Sequence, residues 1–229
     1  MRERRVANSD LSGGDLFGMD LSNCRFDNVR MPAANLCGST LAGTFFQNCA
    51  LGGARLAQAN LKGSRFVQVY MQGAVLNSVS AEEVSWSGVN LTRAKAYGAD
   101  FSQSTFDDCV WADAHFAGSR LFKVHLDRCV LSNANLSGAD LTIGKLCRIT
   151  APRVKVVAVS AGIQFNNLRT SFLDLRGVMG NVITVTQSMT STVGRLVQNA
   201  IDSFRWIENL DESRADRMRL QVAERQGQY

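Results

Sequence analysis

The two imidazole side chains of the 229-residue sequence, His115 and His125, are the first candidates for acid–base or metal chemistry. No pattern around them resembles a nucleophile–base pair or the spacing of metal ligands. Both directly precede a large apolar residue of a five-residue repeat and they are ten residues apart, which places them outward on opposite walls. We therefore expect solvent-exposed histidines, no catalytic residue and no enzyme activity.

The six cysteines are the second candidates for chemistry. No two of them form a CxxC pair, and the chain opens on the charged stretch MRERRVANSD rather than on an apolar leader. The simplest interpretation is a reduced, cytoplasmic protein that uses cysteine as a small buried residue. Cys109 and Cys129, 20 residues apart, could stack within one wall, where a disulfide is conceivable. Reduced core thiols are the favoured alternative.

Asp107, Asp108 and Asp113 form an acidic cluster that could bind a cation weakly. Basic neighbours such as Arg93 or Arg128 are the favoured partners of these carboxylates, so we predict neither a metal site nor a cofactor. The whole chain has 25 Lys and Arg against 20 Asp and Glu, a net charge of +5. It lacks the dense basic stripe of a nucleic-acid binder and any apolar segment long enough to cross a bilayer. We expect neither nucleic acid nor membrane as a partner.

A strict five-residue register organises most of the chain. Of the 28 positions reached by steps of five from Leu11 to Leu146, 26 hold Leu, Phe, Met or Trp, and the exceptions are Ala81 and Ala96. The residues two positions earlier are small, apart from Met19. Five matches neither the helix nor the strand period. One large and one small inward residue per five predicts a narrow, tightly filled core.

The segments SGADL, GGDLF, QANLK, NANLS and GADFS carry a resemblance to the pentapeptide-repeat family, whose pattern is A(D/N)LXX. The resemblance covers residues 9–148, after an N-terminal cap at 1–8. It implies an all-β solenoid, a right-handed quadrilateral β-helix of about seven coils at ~4.8 Å per coil. Residues 20 apart then stack, which predicts an aromatic column inside one wall, formed by Phe26, Phe46, Phe66, Trp86 and Phe106.

Several apolar residues occupy outward positions, namely Phe17, Phe45, Tyr70, Tyr97 and Phe122. On a four-sided coil they spread over all walls, which favours local lids over corners rather than one binding site. Tyr70, Val110 and Val130 fall on the same wall and are the candidate wall contact. Ordinary surface packing is the alternative for these three residues.

The five-residue register ends after Leu146. Residues 149–177 are rich in Val and are predicted to form strands that continue and cap the stack. From Val178 the apolar spacing changes to threes and fours, which predicts a long amphipathic helix within 178–229. The β-branched run NVITVTQSMTSTV weakens its first third. The helix is the predicted homo-oligomer or partner contact, through Val193, Leu196, Ala200, Phe204, Trp206 and Ile207; a helix folded back along one wall is the alternative.

The segment TAPRVKVVAVSAGIQFN, followed by VGRLVQNAIDSFRWIENLDESRADRMR, resembles a family of uncharacterised proteins encoded beside type VI secretion spike genes. The resemblance covers residues 149–222. It implies a non-enzymatic adaptor or structural accessory of a spike and effector assembly, with secretion protein partners and export alongside the apparatus left open. Two alternatives are a topoisomerase-binding DNA mimic, an activity of some pentapeptide-repeat proteins, and a secreted non-enzymatic effector. The net charge of +2 over residues 1–150 disfavours the mimic.

Overall fold

A computed structural model describes residues 4–151 and four further strand segments, at 154–155, 164–166, 173–174 and 184–186. Eight parallel strands 20 residues apart stack along one wall of a β-solenoid, with seven steps between the first and the last. They are β1 (Arg4–Ala7), β2 (Cys24–Asp27), β3 (Phe45–Gln47), β4 (Arg65–Val67), β5 (Ser85–Ser87), β6 (Thr105–Asp107), β7 (His125–Asp127) and β8 (Lys145–Cys147). We call this side the strand wall.

Three further walls are held by single parallel bridges between residues 20 apart, such as Arg55 with Val75 and Tyr70 with Asn90. Backbone hydrogen bonds link each coil to the next, for example from the Leu36 amide to the Arg55 carbonyl at 2.7 Å. The predicted period of 20 is therefore the repeat of the backbone. Because each wall repeats on every coil, an outward residue lies above the residue 20 positions later.

The corners of the coil use a left-handed backbone conformation. Every fifth residue from Asn8 to Arg148 has a positive φ, between 49° and 69°. The corner residue follows the large inward residue by two positions, so the chain turns as soon as that side chain has entered the core. Most L-residues disfavour this region, and Asn, Asp and Gly tolerate it best. This preference accounts for much of the Gly and Asn content of the repeats.

The core is a column of fully buried side chains, and its aromatic members lie behind the strand wall. Phe26, Phe46, Phe66 and Trp86 stack face to face, with ring centroids 4.7, 4.8 and 4.3 Å apart. Phe106 continues the column 5.4 Å from Trp86. Each stacked pair adds packing energy beyond the buried area, about 0.5–1.5 kcal/mol.

The two exceptions to the large inward series, Ala81 and Ala96, lie in the same coil as Trp86. In the next coil all four large inward residues are aromatic, namely Phe101, Phe106, Trp111 and Phe116. The Phe101 ring meets the Trp86 ring edge to face, with centroids 6.1 Å apart. The small alanines thus leave volume for the large rings below them, as close packing of the interior requires.

Strands continue beyond the five-residue register. They are β9 (Val154–Lys155), β10 (Gln164–Asn166), β11 (Leu173–Asp174) and β12 (Thr184–Thr186). β10 pairs in parallel with β8, and β12 with β10, so the sheet of the strand wall has ten strands. β9 and β11 pair with each other. The coil of about 20 residues therefore persists after the apolar register ends.

The predicted fold class is wrong in its long C-terminal helix. β12 lies within the segment assigned to that helix, and the described residues contain no helix. Apolar spacing of threes and fours suggested the helix, but β-branched residues such as Val185 and Thr186 favour extended backbone. The predicted contact residues Val193, Leu196, Ala200, Phe204, Trp206 and Ile207 lie outside the described residues. A search of the described part of the chain finds no helix with the length and hydropathy needed to cross a membrane.

Candidate interaction surfaces

The predicted histidine positions belong to different walls. His125 lies in β7 on the strand wall, whereas His115 bridges to Lys95 and Asn135. The His115 ring stacks on Tyr97 with centroids 5.9 Å apart. Across residues 4–151 and the four later strands, no three His, Cys, Asp or Glu residues are grouped so that they could hold a metal ion.

The six cysteines are free, and four of them are buried. The Cys49, Cys109 and Cys129 thiols donate hydrogen bonds to the carbonyls of Phe26, Trp86 and Phe106 at 3.4–3.6 Å. Burial raises the pKa of the Cys49 thiol. A hydrogen bond with Cys109, together with burial, raises the pKa of Cys129. These thiols are therefore protonated donors within the core and poor nucleophiles.

The lower strand wall carries a dense set of ion pairs, which we call the arginine network: Asp107, Asp108, Asp127, Arg128 and Arg148. Arg128 Nε donates to Asp108 at 2.7 Å, and another of its nitrogens to Asp127 at 2.8 Å. Arg128 also pairs with Asp107. Arg148 Nε donates to Asp127 at 2.7 Å. The acidic cluster is thereby occupied by arginines rather than left open for a cation.

The arginine network shifts the acidity of its carboxyls. The hydrogen bond from Arg148 is the main cause that lowers the pKa of Asp127, and that from Arg128 is the main cause for Asp108. Both carboxylates are therefore held ionised well below neutral pH. The third acidic residue of the predicted cluster, Asp113, lies on another corner, 4.0 Å from Arg93.

The upper strand wall is covered by its own side chains as well. The guanidinium carbons of Arg25 and Arg65 lie 4.5 and 5.7 Å from the centroid of the Phe45 ring, one from each neighbouring coil. Arg5 pairs with Asp27 at 2.6 Å. This outward Phe is thus sandwiched between cations, which reduces its apolar exposure. Phe122, on a different wall, lies 5.1 Å from the ammonium of Lys123.

One other wall is almost free of charge from its third coil onward, and we call it the neutral wall. Its bridged column runs through Ala50, Tyr70, Asn90, Val110, Val130 and Thr150. The next outward positions are also uncharged: Gly52, Gln72, Thr92, Ala112 and Ser132. Tyr70 is 56% exposed, whereas Val110 and Val130 are half-buried. The column brings the three predicted contact residues onto one face, with Asn90 between Tyr70 and Val110.

Sequence reasoning missed most of the surface ion pairs, although their signal is present. Opposite charges 20 residues apart stack in the structure, as in Asp10 with Arg30, Asp100 with Arg120 and Asp108 with Arg128. Sorting the outward charges by a step of 20 would have found these pairs. The stack of Tyr97 on His115 has a separation of 18 and leaves no such signal.

The fold and its surfaces define a β-solenoid of five-residue repeats whose interior is occupied by its own side chains. Two family models agree with this class: "Pentapeptide repeats (8 copies)" matches residues 7–43, and "Pentapeptide repeat region" matches residues 40–116. Residues 7–116 are thus assigned to the pentapeptide-repeat family. A third model, "Protein of unknown function (DUF3540)", matches residues 116–227 and therefore begins inside the solenoid. No curated protein matches the sequence.

Several solved pentapeptide-repeat proteins have a similar fold. HetL, involved in heterocyst differentiation regulation in the cyanobacterium Nostoc sp. strain PCC 7120, is 18% identical with a TM-score of 0.42; the match covers 81% of this chain and 86% of HetL. QnrB1, a plasmid-mediated fluoroquinolone resistance protein, is 17% identical with a TM-score of 0.42, over 85% of this chain and 98% of QnrB1. At this level of similarity the two structures carry no argument about function.

Proposed function

We propose that this chain is a non-enzymatic protein–protein interaction scaffold that docks a partner through the neutral wall. The observation that carries the proposal is the exposed Tyr70 on a face with almost no charge. A tyrosine offers a large apolar contact area and a hydroxyl for hydrogen bonding, and such residues often dominate interface energies. The neutral face beside it can be dehydrated without stripping water from ions.

The rigidity of the solenoid supports the same proposal. Tyr70, Val110 and Val130 are fixed on one bridged column, so their spacing is set by the coil rise of ~4.8 Å. A preformed face lowers the ordering cost of association. Its length of about 24 Å, for five coil steps, suits a short helix or an extended segment of a partner better than a broad globular surface.

The test is retention of proteins from a lysate of the source organism on the immobilised full chain, quantified by mass spectrometry. We expect Tyr70→Glu and Val110→Glu each to reduce recovery of the specific partner at least about tenfold, because a carboxylate would be buried in an apolar contact. Ile143→Glu is the matched control, since it changes an exposed apolar residue on a remote corner. Equal recovery by all forms would refute the neutral wall as the docking surface.

A finer proposal is that the partner belongs to a type VI secretion spike and effector assembly. It rests on the resemblance of residues 149–222 alone, and no comparison with known proteins supports it. Co-purification with intact spike components would test it, with the wild-type chain compared with Phe204→Glu. Unchanged recovery of spike proteins by this variant would count against a contact through the tail.

Homo-oligomerisation through Val193, Leu196, Ala200, Phe204, Trp206 and Ile207 also remains a proposal. Light scattering of the full chain, with and without Ile207→Glu, would test it. An assembly that dissociates in the variant would support the contact, and a wild-type monomer at high concentration would refute it.

The topoisomerase-binding alternative is disfavoured by charge. Residues 4–151 contain 14 Lys and Arg against 12 Asp and Glu, a net charge of +2. A DNA mimic needs a continuous anionic surface, whereas most acidic residues of the strand wall are paired with arginines. Protection of gyrase from a quinolone at submicromolar concentration would reverse this ranking.

A further inference from the structure

A second wall of the solenoid has a different character from the neutral wall. Its bridged column runs through Arg55, Val75, Lys95, His115 and Asn135, and we call it the basic wall. The Arg55 and Lys95 side chains make no hydrogen bond and no ion pair with any residue of the described chain. Most other outward arginines of the repeats do have a carboxylate on a neighbouring coil.

The nearest acidic residues do not neutralise the basic wall. Asp15, in the first coil, accepts hydrogen bonds from Asn35 Nδ2 at 2.9 Å and from the Phe17 amide at 3.2 Å. Asp113, on the adjoining corner, accepts from Asn133 Nδ2 at 2.9 Å and faces Arg93. Between these two carboxylates, residues 35–38, 55–58, 75–78 and 95–98 of this wall contain none. The two cations therefore face solvent uncompensated.

An exposed aromatic residue lies beside these cations. Tyr97 is 42% exposed, and its ring stacks on His115, which limits its motion. The Tyr97 amide also donates to Asn77 Oδ1 at 3.2 Å. The corner next to Tyr97 carries only glycine on three successive coils, at Gly98, Gly118 and Gly138. A Cβ added at Gly118 would meet no atom within 4 Å, so the backbone of a partner can approach closely there.

We propose that the basic wall binds an acidic, extended segment of a partner protein. Arg55 and Lys95 are two coils apart, ~9.6 Å along the solenoid axis. Carboxylates three residues apart on an extended chain are separated by a similar distance, ~10 Å. Such a segment, running parallel to the axis, would pair its carboxylates with Arg55 and Lys95 and pack an apolar group on Tyr97. The proposal rests on the scaffold function but uses a different wall.

Protein is favoured over nucleic acid by the number of cations. The basic wall offers one Arg, one Lys and one His over five coils. Nucleic-acid affinity depends on neutralising many phosphates and is usually carried by a dense basic stripe. Two fixed cations beside a neutral glycine corner suit a peptide with spaced carboxylates.

The test is fluorescence anisotropy of the full chain with a labelled 12-residue peptide that has glutamate at every third position and one tyrosine. At low salt we expect saturable binding, and about tenfold weaker binding for the double variant Arg55→Glu, Lys95→Glu. Lys95→Glu alone should weaken binding more than its matched control Lys62→Glu, which makes the same charge change on an exposed lysine of another wall. The same peptide with glutamine in place of glutamate should not bind.

Three results would overturn the proposal. They are no binding at about 100 μM protein, equal losses for Lys95→Glu and Lys62→Glu, and tighter binding of a thymidine 20-mer than of the peptide. Tyr70→Glu should leave peptide binding unchanged, because Tyr70 lies on the neutral wall. Failure of the basic wall and failure of the neutral wall are therefore distinguishable.

Discussion

The strand wall and the neutral wall share one backbone repeat but use their outward positions in opposite ways. The strand wall is occupied by its own contacts, with Phe45 held between Arg25 and Arg65 above and the arginine network below. The neutral wall leaves Tyr70 exposed beside glycine, threonine and alanine. The comparison teaches that the inward residues specify the coil, whereas the outward residues decide which walls remain available to a partner.

The core behind the strand wall should give the largest effect. Phe66→Ala removes one ring from the aromatic column and should lower the free energy of unfolding by about 3–5 kcal/mol. Met71→Ala, in the same coil behind the neutral wall, is the control and should cost less, since it breaks no ring stack. Urea denaturation of both variants measures the difference. A larger loss for Met71→Ala would contradict the special packing of the strand wall.

The arginine network should give the next largest effect. Asp127 is the buried member of the network and accepts from both Arg128 and Arg148, so Asp127→Asn should destabilise the fold by about 1–2 kcal/mol. Asp100→Asn breaks a single pair with Arg120 on another wall and should cost less than about 1 kcal/mol. Equal losses in urea denaturation would show that the network adds nothing beyond isolated surface pairs.

The pH dependence of stability should come from the ion-paired carboxylates and not from the neutral wall. Because the pKa values of Asp108 and Asp127 are lowered in the folded state, their contribution is full above the unfolded value of about 3.9. It is lost as the pH falls through the lower folded values. In urea denaturation from pH 2 to pH 7, wild type should lose its advantage over Asp127→Asn as the pH falls. A difference that does not vary with pH would contradict this origin.

The smallest effect on stability is expected at Tyr70. Its side chain is mostly exposed, so Tyr70→Glu should change the free energy of unfolding by less than about 0.5 kcal/mol. Thermal unfolding of this variant measures the change. A loss above about 2 kcal/mol would mean that Tyr70 supports the coil and is not free for a partner.

The solenoid could be predicted from the sequence because its inward residues recur without a slip. The series from Leu11 to Leu146, sorted by 20, predicts the column in which Phe46 stacks on Phe66. The tail could not be predicted in the same way. Val178, Val182 and Val185 have helical spacing, but β12 includes Val185, because pairing with β10 decides the local conformation. Tertiary contacts override weak local preference in such β-branched runs.

The outward side chains were harder to predict than the core. Tyr70, Val110 and Val130 could be placed on one wall by counting, since the count depends only on the period. Their exposures differ, with Tyr70 open and the two valines half-buried, because exposure depends on the neighbouring side chains. The partners of Arg128 and Arg148 depend on rotamers that reach across a coil to Asp127, and spacing alone does not fix them.

Site-specific photo-crosslinking tests the central claim most directly. A benzoylphenylalanine placed at Tyr70 on the neutral wall is compared with one placed at Phe45 on the strand wall, each in the full chain in the cells of origin. We predict a discrete crosslinked product from position 70 and none from position 45, because Arg25 and Arg65 already cover the latter. A product from position 45 with none from position 70 would contradict the assignment of the neutral wall as the docking surface.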